Sequence, residues 1–290
     1  TENDMSISDR AVLVQLNIST WGTERLDKSQ TERINVLNNA DAKAGKVHKD
    51  LMCGTTLAKG IELHAGQSRL YNNQNTMPWE DRGPRLLPTS LFMLSYKQDM
   101  NDRETKFENM VKAFIPNYAS AKQTARHYLG SMHREEDYPD VNDIASRYKW
   151  KLSVRPVPSS GHFCLDVPAE DLENFKQDVD GDVEQFVAEA MRKPWKQLHT
   201  MLTGMSGKLQ EVEELNGTPK RFHETFVTNA LDLCKLLNHM NVTNDPELDK
   251  ARRQLELVLA GTDVDDIKEN EFVRSDMKKR VDTILNQFDW

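Results

Sequence analysis

The chain has 290 residues, 38% hydrophobic and 29% charged, with a net charge of −8. That length suits one large or two ordinary domains, and mixed charge with periodic apolar residues excludes a disordered chain. The acidic balance excludes the global electrostatic footprint of a nucleic-acid binder, although folding can still gather dispersed lysines into a local basic patch.

The excess charge is uneven: residues 1–150 balance to zero and residues 151–290 carry all of it. The three cysteines, Cys53, Cys164 and Cys234, are odd in number, widely spaced and without a CxxC pair. They point to free thiols in a reducing compartment. The first ten residues, TENDMSISDR, have neither signal-peptide nor transit-peptide character. No apolar run reaches the roughly 20 residues that span a bilayer. These features lead us to expect a cytoplasmic protein without membrane contact.

In chain order, residues 11–21 alternate, with Val12, Val14, Leu16 and Ile18 on one face, which predicts a β-strand. Helical spacing is expected over 27–51, with Ile34, Leu37 and Val47 buried, and again over 56–74. Residues 75–90 hold three prolines and a glycine, so a loop is expected there, held to the body by Met77 and Trp79. Residues 91–132 return to steps of three and four through Phe107, Phe114, Tyr118, Ala121 and Ala125, with Pro116 expected to kink or divide the helix. A short helix is read at 141–148.

Trp150, Leu152 and Val154 then alternate with Lys151, Ser153 and Arg155, and Phe163, Leu165 and Val167 alternate after a Pro-Ser-Ser-Gly turn. This predicts a β-hairpin at about 150–167. Two stripes follow. One steps from Leu172 through Phe175, Val179, Val183 and Phe186; the other runs from Trp195 through Leu198, Leu202, Met205, Leu209 and Val212 with heptad spacing. With Pro194 between them, an interrupted helix pair packed on residues 91–132 is expected. The last 70 residues read as three helices. Asp245 and Pro246 open the second of these and Gly261 ends it; Thr262 and Asp265 suggest a capped start for the third, whose apolar stripe is Val273, Met277, Val281, Ile284 and Phe288.

The fold class is therefore mainly α: long antiparallel helices with one β-hairpin, an N-terminal strand and a C-terminal three-helix segment. Residues 1–217 are expected to form a helical body, and residues 218–290 a C-terminal segment packed on or linked to it.

Few residues carry chemistry. Asp178, Asp180, Asp182 and Glu189 occupy positions 1, 3, 5 and 12 of a calcium loop, but Val183 stands where the sharp turn needs glycine. The stripe through Val179, Val183 and Phe186 instead makes them the solvated face of a helix. The Gly-Lys pairs at 45–46 and 207–208 lack the spacing of a phosphate loop, and no GxSxG or HExxH occurs. No motif implies a cofactor. The basic group Arg147, Lys149, Lys151 and Arg155, interleaved with Trp150, is the candidate nucleic-acid contact. Its plainer reading is a strand edge guarded by lysine. Trp79, Asp81, Arg82 and Arg85 in the polar loop are the candidate lining of an enzyme site; their plainer reading is a salt-bridged lid.

Several segments together resemble a family of uncharacterised proteins of tailed phages and prophages. They are AVLVQLNISTW, ADAKAGKVHKDL, NTMPWEDRGPRLLP, DYPDVNDIASRYKW, SVRPVPSSGHFCLDV and NVTNDPELDKARRQLE. The resemblance spans most of the chain. It implies a phage-encoded protein in the cytoplasm of an infected bacterium, encoded near genes for MoxR-type AAA+ ATPases and von Willebrand factor A-like proteins. It implies no catalytic residue. Where the family has Asp-Phe-Arg-Val, this chain has His162, Phe163, Cys164 and Leu165, so a function tied to that arginine is in doubt.

The excess of helical seams over chemical motifs points to a non-enzymatic protein acting by contact. Its partner is expected to be a second copy of itself, or a phage or host protein, an AAA+ ATPase among the candidates. Nucleic-acid binding in phage replication or recombination, and an enzyme with a site near 75–90, are the alternatives.

Overall fold

A computed structural model describes residues 6–81, 83–162, 168–210, 224–261 and 264–290. The chain is mainly α, as its periodicity predicts. A single turn, α1 (Ile7–Arg10), leads into β1 (Ala11–Ser19). Then come β2 (Glu24–Leu26), α2 (Lys28–Leu37), β3 (His48–Asp50), α3 (Leu57–Asn75), β4 (Met77–Pro78) and β5 (Arg85–Pro88). The turn α4 (Thr89–Leu91) and a π-type turn at Phe92–Tyr96 precede α5 (Lys97–Leu129). Next are α6 (Val141–Arg147), β6 (Lys149–Pro156), α7 (Ala169–Leu209), α8 (Glu224–Met240), α9 (Pro246–Leu259), α10 (Val264–Glu269) and α11 (Glu271–Gln287).

The chain divides into two compact units that interleave in sequence. One comprises residues 15–74 and 95–153; the other comprises 1–14, 75–94 and 154–290. The boundary expected near residue 217 falls within 211–223, outside the described residues.

In the first unit, Phe107, Phe114, Tyr118 and Ala121 of α5 meet Ala58, Ile61 and Ala65 of α3 in one core. Trp21, just past β1, lies edge-on to Tyr118 at 5.8 Å between ring centres. The helix read over 27–51 needs correcting. Asn38 and Asn39 end α2, Asn39 in the left-handed region at φ 48°, a conformation asparagine tolerates better than most residues. The Asn35 side chain then folds the following loop, accepting from Gly45 N at 3.0 Å and donating to Ala42 O at 3.2 Å. Ile34 and Leu37, expected inside, are 45% and 70% exposed.

Residues 48–50 pair with β2, which places Lys49 in the interior. Its ammonium lies 2.7 Å from Asp137 and 3.7 Å from Asp27, and donates to Met132 O at 2.7 Å. Asp27 also caps α2 through Gln30 N.

In the second unit, β5 pairs antiparallel with β1 from Ala11↔Pro88 to Val14↔Arg85, and with β4 at Met77↔Leu86 and Pro78↔Arg85. The loop expected over 75–90 is thus partly sheet. Pro78 is tolerated because β4 is outermost in the order β4-β5-β1-β6. Met77 and Trp79 are buried, as expected. The first arm of the expected hairpin is β6; its second, 163–167, lies outside the described residues.

Neither proline divides its helix. Pro116 sits inside α5 and Pro194 inside α7. Proline leaves the carbonyl four residues back without its helical donor. For Pro116 that is the carbonyl of Lys112, an exposed residue, where water can replace the donor. Pro194 is held by the seam on either side of it. Ala190, Leu198, Leu202, Met205 and Leu209 are all within 1% of full burial, against α8 and α11. The expectation that this seam packs on residues 91–132 is corrected accordingly, since the buried face of α5 belongs to the core of the first unit. Val212 lies outside the described residues.

Asp245 and Pro246 open α9 as predicted, with Asp245 Oδ1 accepting from Glu247 N and Leu248 N. The final helix opens later than expected, at Glu271 under an Asn270 cap, after the short α10.

Replacing Lys49 with methionine leaves Asp27 and Asp137 without their buried cation, so unfolding in urea should show a loss of about 3–5 kcal/mol. Asp27 is held below its ordinary value of 3.8, first by the Gln30 N–H, then by the Ser29 hydroxyl, with Lys49 contributing, against the opposing effect of burial. Its contribution should be complete above that value and disappear as pH falls below it. A K49M variant as stable as the parent would contradict this account.

Candidate functional site

The residues singled out in the sequence do not converge. Asp178, Asp180, Asp182 and Glu189 lie along α7, exposed and helical throughout. Among the described residues, no group of three or more His, Cys, Asp or Glu side chains is placed to hold a metal ion. No described helix is long and apolar enough to cross a membrane.

Trp79 is only 3% exposed, its ring 5.3 Å from Phe186 in the core, whereas Asp81 is exposed. Arg82 lies outside the described residues. Arg85 turns back on the chain, donating to Thr76 Oγ1 at 2.6 Å and Thr76 O at 3.1 Å. Lys193 Nζ, from α7, donates to the same carbonyl at 2.6 Å. Burial pushes the Lys193 ammonium down to about 8, and the Arg85 guanidinium beside it adds to the effect. This cluster fastens β4 and β5 to α7.

Arg147, Lys149, Lys151 and Arg155 are all exposed, the last three on one face of β6. Trp150 points the other way, half-buried, with its ring 5.5 Å from Phe107. Four cations therefore remain available to a ligand, without the aromatic platform that stacks unpaired bases.

A further concavity lies elsewhere among the described residues. A groove of about 630 Å³ runs along α7 beside Asp289 and Trp290. Met191, Trp195, His199 and Trp290 give it an apolar, aromatic wall, and Arg192 and Lys196 stand on its rim. Trp195 meets Trp290 edge-on at 5.5 Å, and His199 lies 5.1 Å from Trp290.

Both indoles are fixed by their N–H groups. Trp195 Nε1 donates to Asp245 Oδ2 at 3.0 Å, and Trp290 Nε1 donates to Leu285 O at 2.8 Å. One carboxylate thus does two jobs: Oδ1 of Asp245 caps α9 and Oδ2 anchors Trp195. Asp245 is itself locked by Asn241, whose Oδ1 accepts from Asp245 N at 2.8 Å and whose Nδ2 donates to Asp245 O at 2.9 Å. With their only donors engaged, the indoles offer a ligand flat apolar surface. Specificity falls to the rim, where Arg192 pairs with Glu189 across exposed side chains at 2.8 Å, an ion pair that exchanges easily.

The heptad spacing identified Trp195 but assigned it to a core seam, and the cap pattern identified Asp245. Trp290 and His199 were missed. The signal for Trp290 was its place two residues beyond Phe288, at the end of the final apolar stripe. No protein-family model, curated protein or solved structure matches the chain.

Lys193 should titrate with a midpoint near 8 when followed by side-chain NMR, and Arg85→Gln should move that midpoint upward. A midpoint at the ordinary lysine value would show that the ammonium is not desolvated.

Proposed function

We propose that this protein acts by contact rather than catalysis, and that the groove beside Trp195 and Trp290 is where a partner docks. The observation that carries the reading is the fixed aromatic wall under a cationic rim. Preorganised tryptophans surrounded by exchangeable surface charge are what contact hot spots are built from. The wall takes a large apolar or aromatic side chain. Arg192 and Lys196 favour acidic residues on either side of it. The resemblance to a phage and prophage family supports a partner from the infected cell, either a second copy, a phage protein or a host protein such as an AAA+ ATPase.

A second reading rests on the exposed row Lys149, Lys151 and Arg155 with Arg147 nearby. It is contact with nucleic acid through phosphate alone, and it requires binding that falls steeply with salt.

The groove is tested with a fluorescein-labelled peptide of unrelated sequence carrying one phenylalanine between glutamates. Saturable binding should quench tryptophan emission, and Trp290→Ala should weaken it about tenfold. Equal binding by parent and variant, or none by either, would reject the groove as the docking site.

A further inference from the structure

Helix α7 is 41 residues long, and its two halves differ in burial and in charge. From Ala190 onward its seam is core. Over 169–189 it carries eight carboxylates and one lysine, a net of −7, whereas 190–209 carries four cations and no carboxylate. The N-terminal half is also amphipathic. Leu172 and Val179 are half-buried, and Phe175, between them on the same stripe, is 43% exposed. The core takes hold further on, at Val183, Phe186 and Val187. Asp171, Asp178, Asp182 and Glu189 recur at helical spacing along one flank of the stripe, and Glu173, Asp180 and Glu184 along the other. Three members of the calcium look-alike are thus part of a carboxylate row bordering an incompletely covered apolar stripe.

That description matches what the groove selects: an aromatic side chain with acidic neighbours. Resting on the reading of the groove as a docking site, we propose that its occupant is the N-terminal half of α7 from a second copy of this chain. Phe175 enters between Trp195 and Trp290, and the flanking carboxylates face Arg192 and Lys196. At 3.6 residues per turn, the stripe through Phe175 lies roughly opposite the groove residues around the helix axis. One twofold axis along α7 cannot satisfy both contacts. The contact is therefore head-to-tail, with each copy offering an arm to one neighbour and a groove to the next.

The decisive experiment is complementation followed by sedimentation velocity on the full chain. Phe175→Glu spoils the arm and spares the groove; Lys196→Glu spoils the groove and spares the arm. Both positions are exposed, and circular dichroism verifies that each variant keeps the parent fold. The parent should associate progressively with concentration, and less so in high salt. Each variant alone should associate about tenfold more weakly. An equimolar mixture of the two should form a heterodimer that grows no further, because one arm and one groove remain intact. A parent that stays monomeric at every concentration would overturn the proposal, as would variants that associate like the parent or a mixture that stays monomeric. In that case, if the unrelated acidic peptide still quenches the groove tryptophans, self-docking has failed and the groove reading survives; if it does not, both fail.

Discussion

The seam of α7 from Ala190 to Leu209 is the contact on which the second unit depends. Five of its side chains are essentially removed from water, and α8 and α11 supply the surfaces that cover them, with α9 packed behind those two helices. At about 25 cal/mol per Å² of apolar area, burial on this scale outweighs the roughly 3 kcal/mol that an internal proline costs a helix. That is why Pro194 sits inside α7 and does not end it. The seam also fixes the groove. Trp195 is on the same helix one turn before Leu198, so the rigidity of the core carries over to the aromatic wall, and Asp245 completes the orientation from the cap of α9.

The same helix changes character along its length. Its second half is apolar on the inside and basic on the outside; its first half is acidic with an incompletely covered stripe. Acidic residues early and basic residues late suit the helix dipole, so part of this segregation serves the helix itself. The dipole acts only within the terminal turns. The carboxylates of the third and fourth turns, Asp178, Asp180 and Asp182, lie beyond its reach; they form the solvated face of the helix, and the proposed docking would turn that face to a cationic surface.

Periodicity made the long helices legible because their buried faces repeat every three or four residues over many turns. α3, α5 and α7 follow from that signal, and so does β1 from its period of two, while α9 was marked by its cap residues, Asp245 and Pro246. What stayed illegible depends on pairings distant in sequence. β2 and β3 are three residues each, too short for any alternation, and their pairing is enforced by a buried lysine whose partners lie near residues 27 and 137. Lys49 in the sequence looks like any surface lysine. The end of α2 was written in the Asn38-Asn39 pair, but Val47 appeared to continue the helical stripe and hid it. At the groove, Trp195 was visible as a periodic residue. Its role was hidden because Trp290 reaches it only through the packing of α11. The basic residues around β6 were read correctly as exposed, whereas Trp150 among them turned inward onto Phe107, a choice that the alternation of a strand permits and that only packing decides.

The central claim is that α7 is one helix with a core half and a contact half. Amide hydrogen exchange along it tests this most directly. Residues 190–209 should exchange only through global unfolding at any protein concentration. Residues 169–182 should exchange much faster in dilute solution and slow down as concentration rises, because docking covers them. Uniform protection along all of α7, unchanged by concentration, would contradict the account.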